Sequence, residues 1–255
     1  MAPVYADHPF ALIPSPKYAN VKAGTATDLF DRCASEMACV HNLMVRGLNA
    51  IYLQAPHIAP ADEANFLDFV GIWYELLHTH HTGEEEEFFP MLEAMAGEKG
   101  IMEANVEQHH AFHDALEAFA AYVRECAAGR ERYDGRKVVE MIDVFGPTLM
   151  QHLADEIPTI QGLRKYGLET MGDLPRKFDE EGEKNMKKFG LKKLTVMLTF
   201  LDVHFEEDTH VEFPPMPGPI NFLTRSIIWW FVRGTAKFGA CDRHGNLKPL
   251  YAVPA

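Results

Sequence analysis

The chain has 255 residues, of which 47% are hydrophobic and 24% charged, proportions that are ordinary for a soluble globular protein. Its formal net charge of −13 argues against a nucleic-acid partner, because no basic surface is available to neutralise phosphates, and it disfavours an anionic membrane surface. No apolar stretch approaches the roughly 20 residues of a membrane span, and residues 1–16 lack the pattern of a secretory signal. The four cysteines form no Cys-x-x-Cys pair, so a reduced, cytoplasmic compartment is expected.

The N-terminal half of the chain predicts an arm followed by two long helices. Residues 1–26 hold four prolines and no helical period, which predicts an extended arm. A capping pattern at Asp28 starts the first helix, which runs to about Gln54. The second helix begins near Asp62, and Pro90 should kink or end it.

Two further helices complete a predicted bundle. The third spans about Met102 to Cys126, and the fourth starts near Gly135 and extends past Glu156. The links between them are short and polar, which favours antiparallel neighbours. We therefore predict an all-α protein whose residues 27–166 form an up-down four-helix bundle.

The C-terminal stretch, residues 167–255, differs in character. It begins with a charged helix, continues into an apolar segment and is then broken by four prolines between positions 214 and 219. A segment this short is marginally stable alone, so we expect it to pack on the bundle as an extension. Its large apolar residues should then be buried: Leu198, Phe200, Leu201, Phe222, Leu223, Ile227, Ile228, Trp229, Trp230 and Phe231.

The four predicted bundle helices carry residues of the kind that bind metals. One holds the lone His41, and the other three hold ligand-type residues four positions apart. Positions i and i+4 lie on one face of a helix, so these residues predict a closed set of five histidines and two glutamates inside the bundle. Imidazole with carboxylate suits iron, zinc or copper. Seven ligands are too many for one tetrahedral zinc and suit two metals that share carboxylates.

Each pair also has a plainer interpretation. The spacing of His109 and His113 is typical of metal chelation, although such pairs also occur on surfaces. His152 and Glu156 are equally compatible with a simple hydrogen-bonded pair. The glutamates at 84–87 are typical of a solvated acidic face. It is the occurrence of one set on each helix that favours a metal centre.

Two registers remain open in the second helix. His80 with Glu84 and His81 with Glu85 have the same spacing. The two helix faces that carry these pairs are rotated from each other by one residue, roughly 100° around the helix axis. Both faces are apolar, so periodicity does not decide between them. Six other histidines fit no such geometry and are not predicted as ligands: His8, His57, His78, His204, His210 and His244.

Phe89-Pro90 follows the glutamates at 84–87. Together with this pair, the ligand-type residues of the four predicted helices resemble the hemerythrin family, in its broad hemerythrin-like cation-binding form. The resemblance covers roughly Asp28 to Gly167. Members usually have a histidine ten residues before the proline of this Phe-Pro pair, which selects His80 with Glu84. The resemblance implies an up-down four-helix bundle around a non-haem di-iron centre.

The resemblance also implies a role for each ligand. One iron would be bound by His109, His113 and His152. The other would be bound by His41 and His80. Glu84 and Glu156 would bridge the two. The second iron then keeps an open position, which distinguishes a reactive metal site from a structural one.

The chain departs from respiratory hemerythrin in two ways. Its second bridging residue is Glu156, which follows His152 by four positions. In the oxygen carriers this residue is an aspartate that follows its histidine by five positions. About 90 residues follow the bundle, and residues 230–251 resemble C-terminal extensions of fungal hemerythrin-like proteins. Neither feature is expected of a simple oxygen transporter.

Three functions are compatible with this sequence, and no catalytic residue is assigned. The predicted one is a di-iron protein that binds O2 or NO at the open iron, for sensing, binding or iron handling. The second is a di-iron oxidase or oxygenase acting on a small organic substrate, and the third is a helical interaction protein with a structural metal. A substrate-sized cavity beside the open iron would favour the second, and a small sealed pocket the first.

Overall fold

The structure, a computed structural model, describes residues 2–253, and within this range every named element is helical. The α-helices are α1 (Pro16–Ala23), α2 (Leu29–Gln54), α3 (Glu63–Gly83), α4 (Phe89–Ala96), α5 (Glu103–Ala127), α6 (Gly135–Gly162), α7 (Leu168–Met171), α8 (Leu174–Met197), α9 (Gly218–Phe222) and α10 (Trp229–Ala236). Two π-helical segments, Glu84–Phe88 and Leu223–Ile228, join α3 to α4 and α9 to α10. The predicted all-α class is confirmed. None of the described helices is both long enough and apolar enough to cross a membrane.

Helices α2, α3, α5 and α6 form the bundle, with α2 packed on α3 and α6, and α5 packed on the same two helices. The indole of Trp73 lies at its centre, fully buried, and its Nε1 donates a hydrogen bond to the carbonyl of Met44 at 2.9 Å. Phe119 and Phe145 pack against this indole. A Cβ at Gly47 would lie 2.6 Å from the ring, so this glycine allows α2 and the indole to approach closely.

The sequence predicts that Pro90 kinks or ends the second bundle helix. The chain does not end its helical course there. After Gly83 the chain adopts the π-helical segment and then continues as α4 to Ala96. Pro90 falls in the first turn of α4, where a missing N–H costs little because that group has no helical partner. The irregular turn therefore places Glu84 at the junction of two helical segments.

The predicted extended arm contains a helix, α1. Ser15 caps it by accepting a hydrogen bond from the backbone N–H of Tyr18 at 3.1 Å, and Pro16 occupies the first turn. Gly24 ends it with a φ of 67°. Before α1, Asn42 of α2 bonds both backbone groups of Ile13, which fastens the arm to the bundle.

The C-terminal extension contacts the bundle through buried aromatic rings. Phe200 packs edge-to-face on Phe69, with ring centroids 5.1 Å apart, and Phe238 packs on Phe66 in the same way. Helix α8 lies against α2 and α3 and is broken at Gly190, whose φ is 67°. The domain limits at 26/27 and 166/167 remain predictions.

Burial of the apolar residues in the extension is incomplete. Leu198, Phe200 and Leu201 are buried as expected. Phe222 and Phe231 are instead 61% and 76% exposed, and Ile227 and Trp230 are also exposed. Leu223, Ile228 and Trp229 are half-buried. The reason is that the helix from Gly218 to Ala236 turns a face with Thr224, Thr235 and Ala236 towards the protein, which leaves its bulkier face outside.

We expect Phe200→Ala to lower the free energy of unfolding by about 3–5 kcal/mol, because it opens a cavity between the extension and the bundle. Phe231→Ala is the matched control in the same extension and should change it by less than about 0.5 kcal/mol. Denaturant unfolding of both variants measures the difference. Equal stability of the two variants would show that the contact with Phe69 does not hold the extension in place.

Candidate metal centre

Four helices bring polar side chains to one point in the bundle core. His41 comes from α2 and His109 from α5, while α3 ends with an adjacent pair of histidines. All seven side chains at this point are buried or nearly so: His41, His80, His81, Glu84, His109, His152 and Glu156. Such a concentration of polar groups in a hydrophobic core requires strong mutual interactions or a bound ligand.

The side chains form two groups, each able to hold one metal ion. Site 1 consists of His81, Glu84, His109 and His152. Site 2 consists of His41, His80, Glu84 and Glu156. Within each group, one ligand atom per residue lies within 4.8 Å of all the others. Glu84 belongs to both sites, the position of a bridging carboxylate.

Glu156 also reaches towards both sites. Its Oε2 lies 3.3 Å from Nε2 of His41 in site 2 and 4.0 Å from Nε2 of His152 in site 1. Glu84 shows the same behaviour, with one oxygen 2.9 Å from Nε2 of His80 and the other 3.6 Å from Nε2 of His109. The two carboxylates therefore lie between the two sets of imidazoles.

The imidazole of His41 is oriented by the backbone of α6. Its Nδ1 donates a hydrogen bond to the carbonyl of Leu153 at 2.8 Å, because a carbonyl oxygen only accepts. This bond leaves Nε2 facing the cluster, 3.2 Å from Nε2 of His80. Two ring nitrogens at this separation need a proton or a cation beside them.

Two imidazoles of site 1 are also oriented by partners outside the cluster. Nδ1 of His109 donates to Oε1 of Glu85 at 2.6 Å, and Nδ1 of His152 lies 3.2 Å from Oε1 of Gln108. Their Nε2 atoms face each other at 3.0 Å. Metal-binding histidines typically direct the second ring nitrogen to such a partner, which fixes the ring and makes the ligating nitrogen more basic.

The cluster contains buried polar atoms that no part of the described chain satisfies. They are both carboxylate oxygens of Glu84, both of Glu156, and Nε2 of His81. Buried polar groups are almost always paired, and an unpaired carboxylate is especially costly. Imidazole with carboxylate is a donor set for iron, zinc or copper, so the residues present fit a pair of such ions.

Burial favours the neutral form of four imidazoles, those of His80, His81, His109 and His152. It lowers the pKa of His80 to about 4 and that of His152 to about 3. Burial also lowers the pKa of His109, and it lowers that of His81 well below its usual value, with repulsion from the neighbouring imidazoles adding to the effect. Neutral imidazole is the form that binds metal ions, so the bundle core maintains the ligands in the required state near neutral pH.

The two carboxyl groups respond differently to burial. Burial raises the pKa of Glu84 well above its usual value, and the nearby Glu156 raises it further. Burial also acts on Glu156, but contact with His41 and attraction to the other imidazoles outweigh it and lower the pKa. Repulsion therefore prevents both groups from being ionised together unless cations lie between them.

His113 is predicted from the sequence to be a metal ligand, but the structure places it outside the cluster. Its side chain is 62% exposed and its Nδ1 lies 3.3 Å from Asp114. The buried stripe of α5 passes through His109, Phe112 and Leu116, and His113 lies about 100° around the helix from Phe112, on the solvent side.

His81, not the predicted His113, joins His109 and His152 in site 1. The two registers of the second helix are not alternatives, because His80 enters site 2 and His81 enters site 1. Their rotation by about 100° lets adjacent residues reach the two sides of Glu84. Glu85 does not join the cluster and instead supports His109 from outside. The adjacent histidine pair is the sequence signal for this arrangement.

A cavity of about 1000 Å³ borders site 2. His80 and Glu84 form part of its wall, whereas no other residue of site 1 or site 2 does. The opposite wall comes from α8 and from residues 209–215 of the extension. Most of the lining is apolar, and includes Met37, Leu43, Leu76, Phe178, Met186 and Phe189.

Comparisons with known proteins agree with this geometry. Residues 35–160 match the family model described as the hemerythrin HHE cation binding domain, a range that contains every residue of sites 1 and 2. The chain is 34% identical over 227 residues to the dimeric xanthone biosynthesis cluster protein R11 of Cryptosporiopsis sp. (strain 8999), a match that covers 87% of this chain and 83% of that protein. No solved structure matches this chain at a significant level.

We expect His81→Ala to reduce the metal content, whereas His113→Ala should leave it unchanged. The first variant removes a buried member of site 1, and the second removes an exposed imidazole on the same layer of the bundle. Elemental analysis of iron-loaded protein, with about two ions per chain expected in the wild type, measures both. A loss of metal in His113→Ala alone would restore the ligand set implied by the sequence.

Removing the metal should destabilise the fold, because two carboxylates then remain buried without partners. Mass action adds roughly 2.7 kcal/mol for each ion at about 100 times its dissociation constant, which corresponds to a Tm higher by roughly 5–10 °C per ion. Thermal melting before and after chelation measures the shift, and restored Tm on adding iron back is the control. An unchanged Tm after complete metal removal would contradict the argument.

Proposed function

Because the chain belongs to the hemerythrin HHE cation-binding domain family, we propose that it binds two iron ions and uses them with O2 to oxidise an apolar organic molecule. The observation that carries this proposal is the cavity of about 1000 Å³ whose wall includes His80 and Glu84. Ligand pockets for molecules of drug size have about 300–1,000 Å³. Neither O2 nor NO needs a space of this size.

The two sites differ in their access to the cavity. Site 1 has three imidazoles, and of its four ligands only Glu84, shared with site 2, borders the cavity. Site 2 has two imidazoles and borders the cavity through His80 and Glu84. Coordination positions that the protein does not fill would therefore face the cavity at site 2. Open positions are what a reactive metal site needs.

Bound iron supplies the electron transfer and Lewis acidity that O2 chemistry requires. The protein's part is to hold the ligands and to shape the space. Leu153 and Glu85 fix two of the imidazoles from outside, as described above. The apolar side chains of α2 and α8 provide contact area for an apolar molecule.

The relative suggests a class of substrate. R11 is named for a cluster that makes dimeric xanthones, which are fused aromatic compounds. A flat aromatic molecule suits a cavity lined by Phe88, Phe178 and Phe189 together with methionine and leucine side chains. We therefore propose a xanthone-type aromatic compound, or a precursor of one, as the substrate.

The proposal is tested by filling the cavity from the side of the extension. Met186 is half-buried in α8 and lines the cavity, while its neighbour Lys187 is 74% exposed. Met186→Trp should reduce substrate-dependent O2 consumption at least tenfold without changing the iron content, and Lys187→Trp should change neither. An oxygen electrode, with a hydroxyxanthone and ascorbate as reductant, measures the rates.

The result that would overturn the oxidase proposal is equally specific. Protein with about two irons per chain that binds O2 but consumes none in response to any hydroxyxanthone would instead support an oxygen-binding function. Equal O2 consumption by Met186→Trp and the wild type would show that the cavity is not the substrate site.

A further inference from the structure

One acidic side chain in the cavity lacks a partner. Glu181 of α8 lines the cavity, and its Oε1 is buried with no hydrogen-bond partner among the described residues. We propose that Glu181 is the hydrogen-bond acceptor that anchors a phenolic hydroxyl group of the substrate beside site 2. This inference rests on the proposed function, since it specifies a chemical group of the molecule that the cavity holds.

The position of Glu181 places this acceptor at the metal end of the cavity. A Cβ on Gly83 would lie 3.2 Å from Oε1 of Glu181 and 3.0 Å from Nδ2 of Asn185. Gly83 immediately precedes Glu84, which belongs to both metal sites. Glu181 and Asn185 therefore extend from α8 to the end of α3, next to Glu84.

Several other charged groups on and near α8 and α2 are already paired. Arg32 lies 3.0 Å from Glu36, and Lys187 lies 2.8 Å from Glu183. Lys184, which is on α8 near Glu181, pairs with Glu87. Apart from the oxygens of Glu84, which belongs to both metal sites, Oε1 of Glu181 is the buried carboxylate oxygen in the cavity lining that has no partner among the described residues.

Asn185 supplies a complementary donor. Its Oδ1 accepts a hydrogen bond from Nζ of Lys188 at 2.8 Å, and its Nδ2 lies 3.0 Å from the position of a Cβ on Gly83. A phenolic hydroxyl group both donates and accepts, so it can donate to Glu181 while accepting from Asn185. The corresponding aromatic ether lacks the donor and would leave Glu181 unpaired, which weakens its binding.

The experiment compares 3-hydroxyxanthone, which has this donor, with its methyl ether 3-methoxyxanthone, which lacks it. Both are titrated into the iron-loaded full chain without O2, and Kd is measured by absorbance or fluorescence. The wild type should prefer the hydroxyl compound by about tenfold or more. Glu181→Leu should reduce this preference to about onefold, and Glu181→Gln, which keeps an acceptor oxygen, should retain part of it.

The matched control is Glu180→Leu. Glu180 precedes Glu181 on α8, carries the same charge, is solvent-exposed and pairs with Arg176 away from the cavity. This variant should keep the wild-type preference. Iron content and Tm, measured for each variant, separate a loss of the anchor from a loss of the metal or the fold.

Asn185→Leu provides a second, independent variant and should also weaken the preference for the hydroxyl compound. The inference is overturned if Glu181→Leu keeps the full preference, if the wild type binds both ligands equally, or if it binds neither. A preference that depends on Glu181, in a protein that consumes no O2 with the hydroxyl compound, would instead support the anchor and overturn only the proposed oxidation.

Discussion

The repulsion between two buried carboxylates is the constraint on which this structure depends. Glu84 and Glu156 lie among five imidazoles in the core of the bundle, and none of their four oxygens has a hydrogen-bond partner in the described chain. Neutral imidazoles do not compensate two negative charges in a medium of low polarity. Cations do, and the helices hold the ligands close enough for two of them. The arrangement is therefore favourable as a metal centre and unfavourable as an ordinary core.

The two parts of the chain contribute different features. The bundle provides every metal ligand and the outer hydrogen bonds that orient the imidazoles. The extension provides α8 and the loop that close the cavity over site 2. Aromatic contacts such as Phe200 on Phe69 fasten the extension to the bundle, so the cavity has a defined shape. The candidate metal ligands and most of the cavity wall thus come from separate segments that meet at Glu84.

Much of the fold follows from periodicity, because long amphipathic helices with short links leave few alternatives. The residues of the site were less accessible. His109 and His113 satisfy the same spacing rule, and only the neighbours Phe112 and Leu116 show that the inward stripe excludes His113. His80 and His81 both enter the cluster because two metal sites lie on either side of Glu84, a condition that no single helical stripe expresses. The cavity was not predictable, since Glu181 is nearly 100 residues from Glu84 in the chain and meets it only through packing of α8.

The separation of the two cavity walls has an evolutionary consequence. The metal ligands fall within residues 35–160, the range shared with the family model, whereas Glu181, Asn185 and Met186 lie beyond it. Substitutions in α8 change the shape and polarity of the cavity without altering a single ligand. A lineage that carries this extension is therefore free to change what the cavity admits by mutation in one helix, while the candidate metal ligands are inherited intact.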